Sequence, residues 1–190
     1  MKLVFSKNPY ELSIYNKNQN LIYKDLPGRS YKRDLQGRVY HYSEIDLEND
    51  AFYGLGESTG PLNKNSQVVR QAPRDSLGYN AENTSPLYKH IPFYIRINKN
   101  HQEAIGLFYH NTFESFFDMG CERSGYWKRY SYFCADGGDL DCYFINGPNL
   151  SEIIERYTDL TGKTAFSPIE SLGYLGSTMY YVEFPTNCDK

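Results

Sequence analysis

The sequence predicts an all-β fold, a β-sandwich over residues 1–147 followed by a short helix. Three observations carry the expectation. Short apolar and aromatic runs recur between clusters of Gly, Pro, Asn and Asp. Aromatic residues make up 16% of the 190, with 19 Tyr and 11 Phe, the residue types that fit a pleated, half-buried surface. After Gly147-Pro148 the apolar spacing changes from strand-like to helical.

The elements follow in order. Pro9-Tyr10-Glu11-Leu12-Ser13-Ile14-Tyr15 alternates with period two, Asn16–Asn20 is a polar turn, and Leu21-Ile22-Tyr23 starts the return strand of a hairpin. Arg38–Tyr42 is a short strand after Gln36-Gly37. Pro92–Ile97 and Ala104–Tyr109 flank Asn98–Gln102 as a second hairpin. Phe113–Asp118, Arg129–Phe133 and Leu140–Ile145 complete the series, and many short strands with turns between them make a sandwich. Asn149-Leu150-Ser151-Glu152 has the pattern of a capping box. Ile153, Ile154, Tyr157 and Leu160 share one helical face, and Gly162 is placed to end the helix. Leu172-Gly173-Tyr174-Leu175-Gly176 reads as a buried strand. Between Gly54 and Lys89 the pattern is irregular; long irregular stretches in compact domains are usually functional or misassigned, and this one is read as functional.

Composition narrows the function. The net charge is -3, so there is no basic excess to bind nucleic acid. No apolar run approaches the roughly 18–20 residues of a membrane span. The first residues lack a long apolar core, which predicts no signal peptide and a cytoplasmic location. Cys121, Cys134, Cys142 and Cys188 show no CxxC or zinc-finger spacing and read as reduced thiols, with a disulfide framework the lesser alternative because four cysteines are few for this length. His41, His90, His101 and His110 show no metal spacing and read as surface or packing residues. Asp136, Asp139 and Asp141 hint at a calcium loop or a carboxylate pair, but the further ligands of a calcium site are missing and a turn before a strand explains them.

Phe52-Tyr53-Gly54-Leu55-Gly56-Glu57 with Gly60-Pro61-Leu62-Asn63-Lys64 resembles the opening motif of the N-terminal domain of glycoside hydrolase family 31, the α-glucosidase and α-xylosidase family. Asp75–Tyr79, Pro86–Phe93, Gly106–Asn111, Gly138–Pro148 and Tyr157–Lys163 match further family segments in the family's order. The resemblance runs from about residue 9 to 182. It implies a galactose-mutarotase-like sandwich over 1–147, a linking helix over 148–165, and the first strand of an incomplete (β/α)8 barrel over 166–190. It also implies an interior piece of a larger enzyme that removes α-linked glucose or xylose from oligosaccharides.

Members of this family retain anomeric configuration. That chemistry needs two carboxyl groups about 5–5.5 Å apart. In the family both lie on later barrel strands, and the nucleophile motif is absent here: the only Trp, Trp127, is followed by Lys128-Arg129. The resemblance therefore assigns no catalytic residue, no cofactor and no metal to this chain, and the chain alone is expected to be inactive. It assigns substrate contact to Asp75, on a sandwich loop over the barrel mouth, and to Tyr181, near the end of the first barrel strand. Asp75 has the alternative of a turn residue, and Tyr181 that of ordinary strand packing. Two departures stand beside them: Pro73 where the family often has Asn, and Thr178 where it often has Arg. Glu57 is expected to hold its loop through backbone N–H groups. The competing readings are a non-catalytic carbohydrate-binding sandwich, to which the Tyr content gives some support although strand packing accounts for most Tyr equally well, and a truncated gene product. An orphan strand at Leu172–Gly176 argues against a free-standing module, because it would be an open edge.

Overall fold

The computed structural model describes residues 1–76, 78–147 and 149–173. Among these residues all strand pairs are antiparallel and form three sheets. The first contains β1 (Lys2–Lys7), β2 (Tyr10–Tyr15) and β3 (Leu21–Lys24) in that order. The second has the order β4-β5-β11-β10-β7, from β4 (Tyr31–Arg33), β5 (Val39–Glu44), β7 (Val68–Gln71), β10 (Ser115–Asp118) and β11 (Tyr130–Ala135). The third has the order β12-β9-β8-β6, from β6 (Asp50–Gly54), β8 (Phe93–Asn98), β9 (Glu103–Tyr109) and β12 (Cys142–Gly147).

One core joins all three sheets. Leu12, Ile14 and Tyr23 come from the first, Val69, Phe117 and Phe133 from the second, and Phe52, Tyr94, Ile105 and Leu107 from the third. Tyr109 of the third sheet stacks on Phe133 of the second with ring centroids 4.1 Å apart, and Tyr94 meets Phe117 edge-on at 6.0 Å. These aromatic contacts between the five- and four-stranded sheets are the sandwich.

Both predicted hairpins form, and Asn residues shape both turns. The Asn16 side chain accepts from the Asn20 N–H at 2.8 Å, and Asn98 accepts from the N–H groups of Asn100 and His101. The strand expected from Leu140 begins at Cys142, so Asp139 and Asp141 do not lie on it. Arg33 reaches Asp139 at 3.4 Å, His110 reaches Asp141 at 3.3 Å, and the Asn111 amide ties the turn through the carbonyls of Gly137 and Asp139. Among the described residues no three His, Cys, Asp or Glu side chains gather in a metal-binding group. Cys121, Cys134 and Cys142 are free thiols, and Cys188 lies outside the described residues.

Helix α1 (Leu150–Thr161) starts at the capping box. The Asn149 side chain accepts from the Glu152 N–H at 3.0 Å and donates to the Glu152 carboxylate at 3.0 Å. Gly162, at φ 100°, returns its N–H to the Thr158 carbonyl. The four apolar residues expected on one face divide. Ile153 is fully buried and Tyr157 stacks on Phe93 at 3.9 Å, whereas Ile154 and Leu160 are exposed. Ile153 fits where the sheet is thinned by glycine: a Cβ on Gly106 would stand 2.8 Å from Ile153, and one on Gly147 2.7 Å. Beyond the helix, Ile169–Leu172 form an exposed 3₁₀ turn. Tyr174, Leu175 and Gly176 of the expected strand lie outside the described residues.

Candidate functional site

The irregular stretch between Gly54 and Pro92 issues from one end of the sandwich. Gly54 pairs with Tyr94 at the close of β6, and Gln71 pairs with Ser115 at the close of β7. At Gly54-Leu55-Gly56 three successive residues have positive φ: 123°, 62° and 59°. The chain turns so close to β8 that a Cβ on Gly54 would sit 2.7 Å from the Phe93 carbonyl oxygen, and one on Gly56 2.8 Å from the Ile91 side chain. Both positions therefore demand glycine. Leu55 tolerates left-handed backbone because its side chain is fully buried and its N–H donates to the Phe93 carbonyl at 2.7 Å. Gly54→Ala should lower the unfolding free energy by about 2 kcal/mol through strain and overpacking. Gly78→Ala, whose Cβ would meet open space at φ 66°, should lose about 1 kcal/mol. Urea denaturation of both variants checks the difference.

The residue that holds this turn is Gln71. Its amide donates to the Leu55 carbonyl at 2.8 Å and its oxygen accepts from the Ile91 N–H at 2.8 Å. Gln71 is buried, so it staples the turn to the approach of β8. Glu57 was expected in this role, but it is exposed and among the described residues no hydrogen bond reaches its carboxylate. Two further bonds tie the returning loop: the Thr59 hydroxyl donates to the Thr84 carbonyl at 2.7 Å, and the Gly60 N–H donates to the Ala81 carbonyl at 3.0 Å.

Asp75 lies on the arm that follows β7, in irregular backbone. Its neighbours are anchored. Arg74 donates to Glu114 at 2.7 Å, Arg70 also pairs with Glu114, and the Tyr88 hydroxyl donates to the Ser76 carbonyl at 3.3 Å. Desolvation pushes the Glu114 carboxyl up, but the hydrogen bonds and charges of Arg74 and Arg70 outweigh it and hold the group below the usual carboxylate range. Asp75 itself is exposed, and among the described residues no hydrogen bond occupies its carboxylate. A carboxylate so held has four acceptor sites for hydroxyl donors. Tyr181 lies outside the described residues.

Of the two roles expected of it, surface or packing, His41 takes the packing one, with a polar network added. It sits in a buried polar network with Asp25, which is fully buried. Asp25 accepts from the Leu12 N–H at 2.8 Å, the Tyr23 hydroxyl at 2.8 Å, the Tyr31 hydroxyl at 2.6 Å and His41 Nε2 at 2.9 Å. His41 Nδ1 faces the Tyr109 hydroxyl at 2.9 Å, and the Tyr31 ring stacks over the imidazole at 4.9 Å. A carboxylate only accepts, so the Nε2 proton is placed toward Asp25. The network is closed upon itself and holds the first sheet to the other two.

No helix among the described residues is long and apolar enough to cross a membrane. A family model described as the glycosyl hydrolase 31 N-terminal galactose mutarotase-like domain matches residues 1–118. The chain is 32% identical over 180 residues to alpha-glucosidase 2 of Bacillus thermoamyloliquefaciens, covering 94% of this chain and 22% of that protein. It is 34% identical over 146 residues to an alpha-xylosidase of Emericella nidulans, covering 76% of this chain and 17% of that one. Among solved structures, a Flavobacterium johnsoniae GH31 dextranase complexed with isomaltotriose superposes with a TM-score of 0.79 and 30% identity, over 90% of this chain and 20% of the dextranase. The chain thus spans about a fifth of the length of the relatives it matches. With the sandwich, the glycine turn and the family profile in agreement, the chain belongs to glycoside hydrolase family 31, whose N-terminal galactose mutarotase-like domain it carries.

Proposed function

We propose that this chain supplies the N-terminal sandwich and a substrate-side loop to a retaining α-glycosidase acting on terminal α-linked glucose or xylose, with the catalytic aspartates on barrel strands that this chain lacks. In this reading residues 1–147 are the sandwich, 148–165 the linking helix and 166–190 the opening of the barrel. Asp75 accepts hydrogen bonds from sugar hydroxyls, and Tyr181 adds an aromatic face to the same pocket. The partner is an α-linked oligosaccharide. The compartment is the cytoplasm, which the three free thiols fit.

The observation that carries the reading is the arm holding Asp75. Arg74 and Ser76 are tied down on either side of an exposed carboxylate, at the end of the sandwich from which the family's glycine turn also issues. Positioning a side chain between two anchors limits the entropy lost when a ligand binds.

The natural protein, recovered from its own cells, tests this. Its intact mass should be at least double the 22.1 kDa of this chain, because a barrel adds roughly 250 residues. It should hydrolyse p-nitrophenyl α-D-glucopyranoside or the xyloside. Asp75→Ala in that protein should lower kcat/KM by roughly 10–100-fold, the size of a lost hydrogen bond to a charged group. A natural mass of 22.1 kDa, or an unchanged kcat/KM, would overturn the reading.

A further inference from the structure

Lys64 is the lysine of the Gly60-Pro61-Leu62-Asn63-Lys64 motif, and it is 5% exposed. Its ammonium donates to the Thr59 carbonyl at 2.9 Å, and among the described residues no carboxylate comes within ion-pair distance. An ammonium carries three protons, so one is used and two remain. Buried charges in proteins are ordinarily paired, because desolvation without a counter-charge is costly. Here burial alone pulls the Lys64 pKa below its usual value, with no anion to offset it.

Lys64 also lines a cavity of about 230 Å³ together with Ser58, Thr59, Gln67, Glu82 and Asn83. Thr59 already donates its hydroxyl proton to Thr84. Ser58, Gln67 and Asn83 offer a hydroxyl and two amides that can donate. The volume lies below the roughly 300–1,000 Å³ of sites that take drug-sized ligands. It suits a small ion and is too small for an oligosaccharide. Glu82 is the one carboxylate on the lining; it is exposed, so solvent screens its charge.

We infer that this cavity is a binding site for a small oxyanion such as inorganic phosphate, with Lys64 as its counter-charge and Asn83 and Gln67 as donors. The Asp75 carboxylate is not on its lining. Its walls come from the glycine-turn loop, the start of β7 and the segment at 82–85. An ion there would tie together three segments that otherwise meet through a few hydrogen bonds.

The test is calorimetric titration of the purified 190-residue chain with sodium phosphate, at ionic strength held constant with sodium chloride. The expected result is saturable binding at one site, with a matching rise in Tm that chloride does not give. Lys64→Met should abolish it. Glu82→Gln should tighten binding about threefold, the size of an exposed charge interaction. Asn83→Ala should weaken it by roughly three- to tenfold, the size of one hydrogen bond. Absence of saturable binding, or binding unchanged in Lys64→Met, would overturn the inference. Should Lys64→Met fail to fold, Glu82→Gln and Asn83→Ala decide, since both side chains are exposed; no change in either sinks the site.

Discussion

Asp25→Asn should lower the unfolding free energy by about 3–5 kcal/mol, the cost of removing one member of a buried charged network. The carboxylate is fully buried and accepts four hydrogen bonds. An amide in its place turns one acceptor into a donor, and that donor meets hydroxyl and imidazole protons already pointing inward. The Leu12, Tyr23 and His41 contacts join the first sheet to the rest of the sandwich, so the loss should appear as one cooperative shift in urea midpoint. An unchanged midpoint would show that the network adds nothing.

The same carboxylate predicts acid sensitivity. Burial raises the Asp25 pKa, but the hydrogen bond and charge of His41, the Tyr31 hydroxyl and the Leu12 N–H together outweigh it and hold it below the usual value. A depressed folded-state pKa contributes stability above the unfolded value, about 3.9 for Asp. That contribution is lost as pH falls through the lower folded-state pKa. The gap between wild type and Asp25→Asn should thus be full at pH 6 and shrink as pH falls below about 3.9. A gap that stays constant to acid would mean that ionisation of Asp25 is not the source.

Ile153→Ala is the second large loss expected, about 2–5 kcal/mol. Ile153 is fully buried, and it fills the space that Gly106 and Gly147 leave open. Truncation there leaves a cavity that glycines, having no side chains, cannot refill. Tyr157 on Phe93 is the other main contact of the helix, so the variant should also expose α1 to faster amide exchange. Ile154→Ala, at a residue 49% exposed, should change stability by less than about 0.5 kcal/mol. Equal effects at 153 and 154 would contradict the packing described.

The elements legible in the sequence are those that carry a pattern of their own; even β5 and β11, which pair across most of the chain, stand out as short aromatic runs. The hairpins β2–β3 and β8–β9 announce themselves by alternation around Asn-rich turns, and α1 by its capping box and glycine stop. The missed strands lack such signals. All six residues of β1 are exposed, so no inward-outward alternation marks it. Strand β4 has three residues, all exposed. Strand β7 owes its pairing to β10, some 45 residues later, with Val69 facing Phe117. At the candidate site, the glycine turn and the Asp75 arm stood out as motif and irregularity. Gln71, which holds the turn, did not, because its bonds reach Leu55 and Ile91 at separations of 16 and 20 residues. His41 was equally silent: its partners Asp25 and Tyr109 stand 16 and 68 residues away. A buried histidine and a surface one look alike until the sheets bring their neighbours together.

The pairing of β5 with β11 sets an order on synthesis. Val39 lies opposite Ala135 and Glu44 opposite Tyr130, in the middle of the five-stranded sheet. A growing chain has only the short β4 to place beside β5, and β5's other edge stays open until β11 has left the ribosome. The third sheet waits longer, because β12 pairs on β9, and Gly147, opposite Ala104, completes it. Over that interval the hairpins exist as separate pieces with Phe52, Phe117 and Phe133 uncovered, and long-range pairing of this kind is intrinsically slow. Translation pauses before residue 135 would prolong the vulnerable period, whereas pauses after the helix would find a sandwich already able to close.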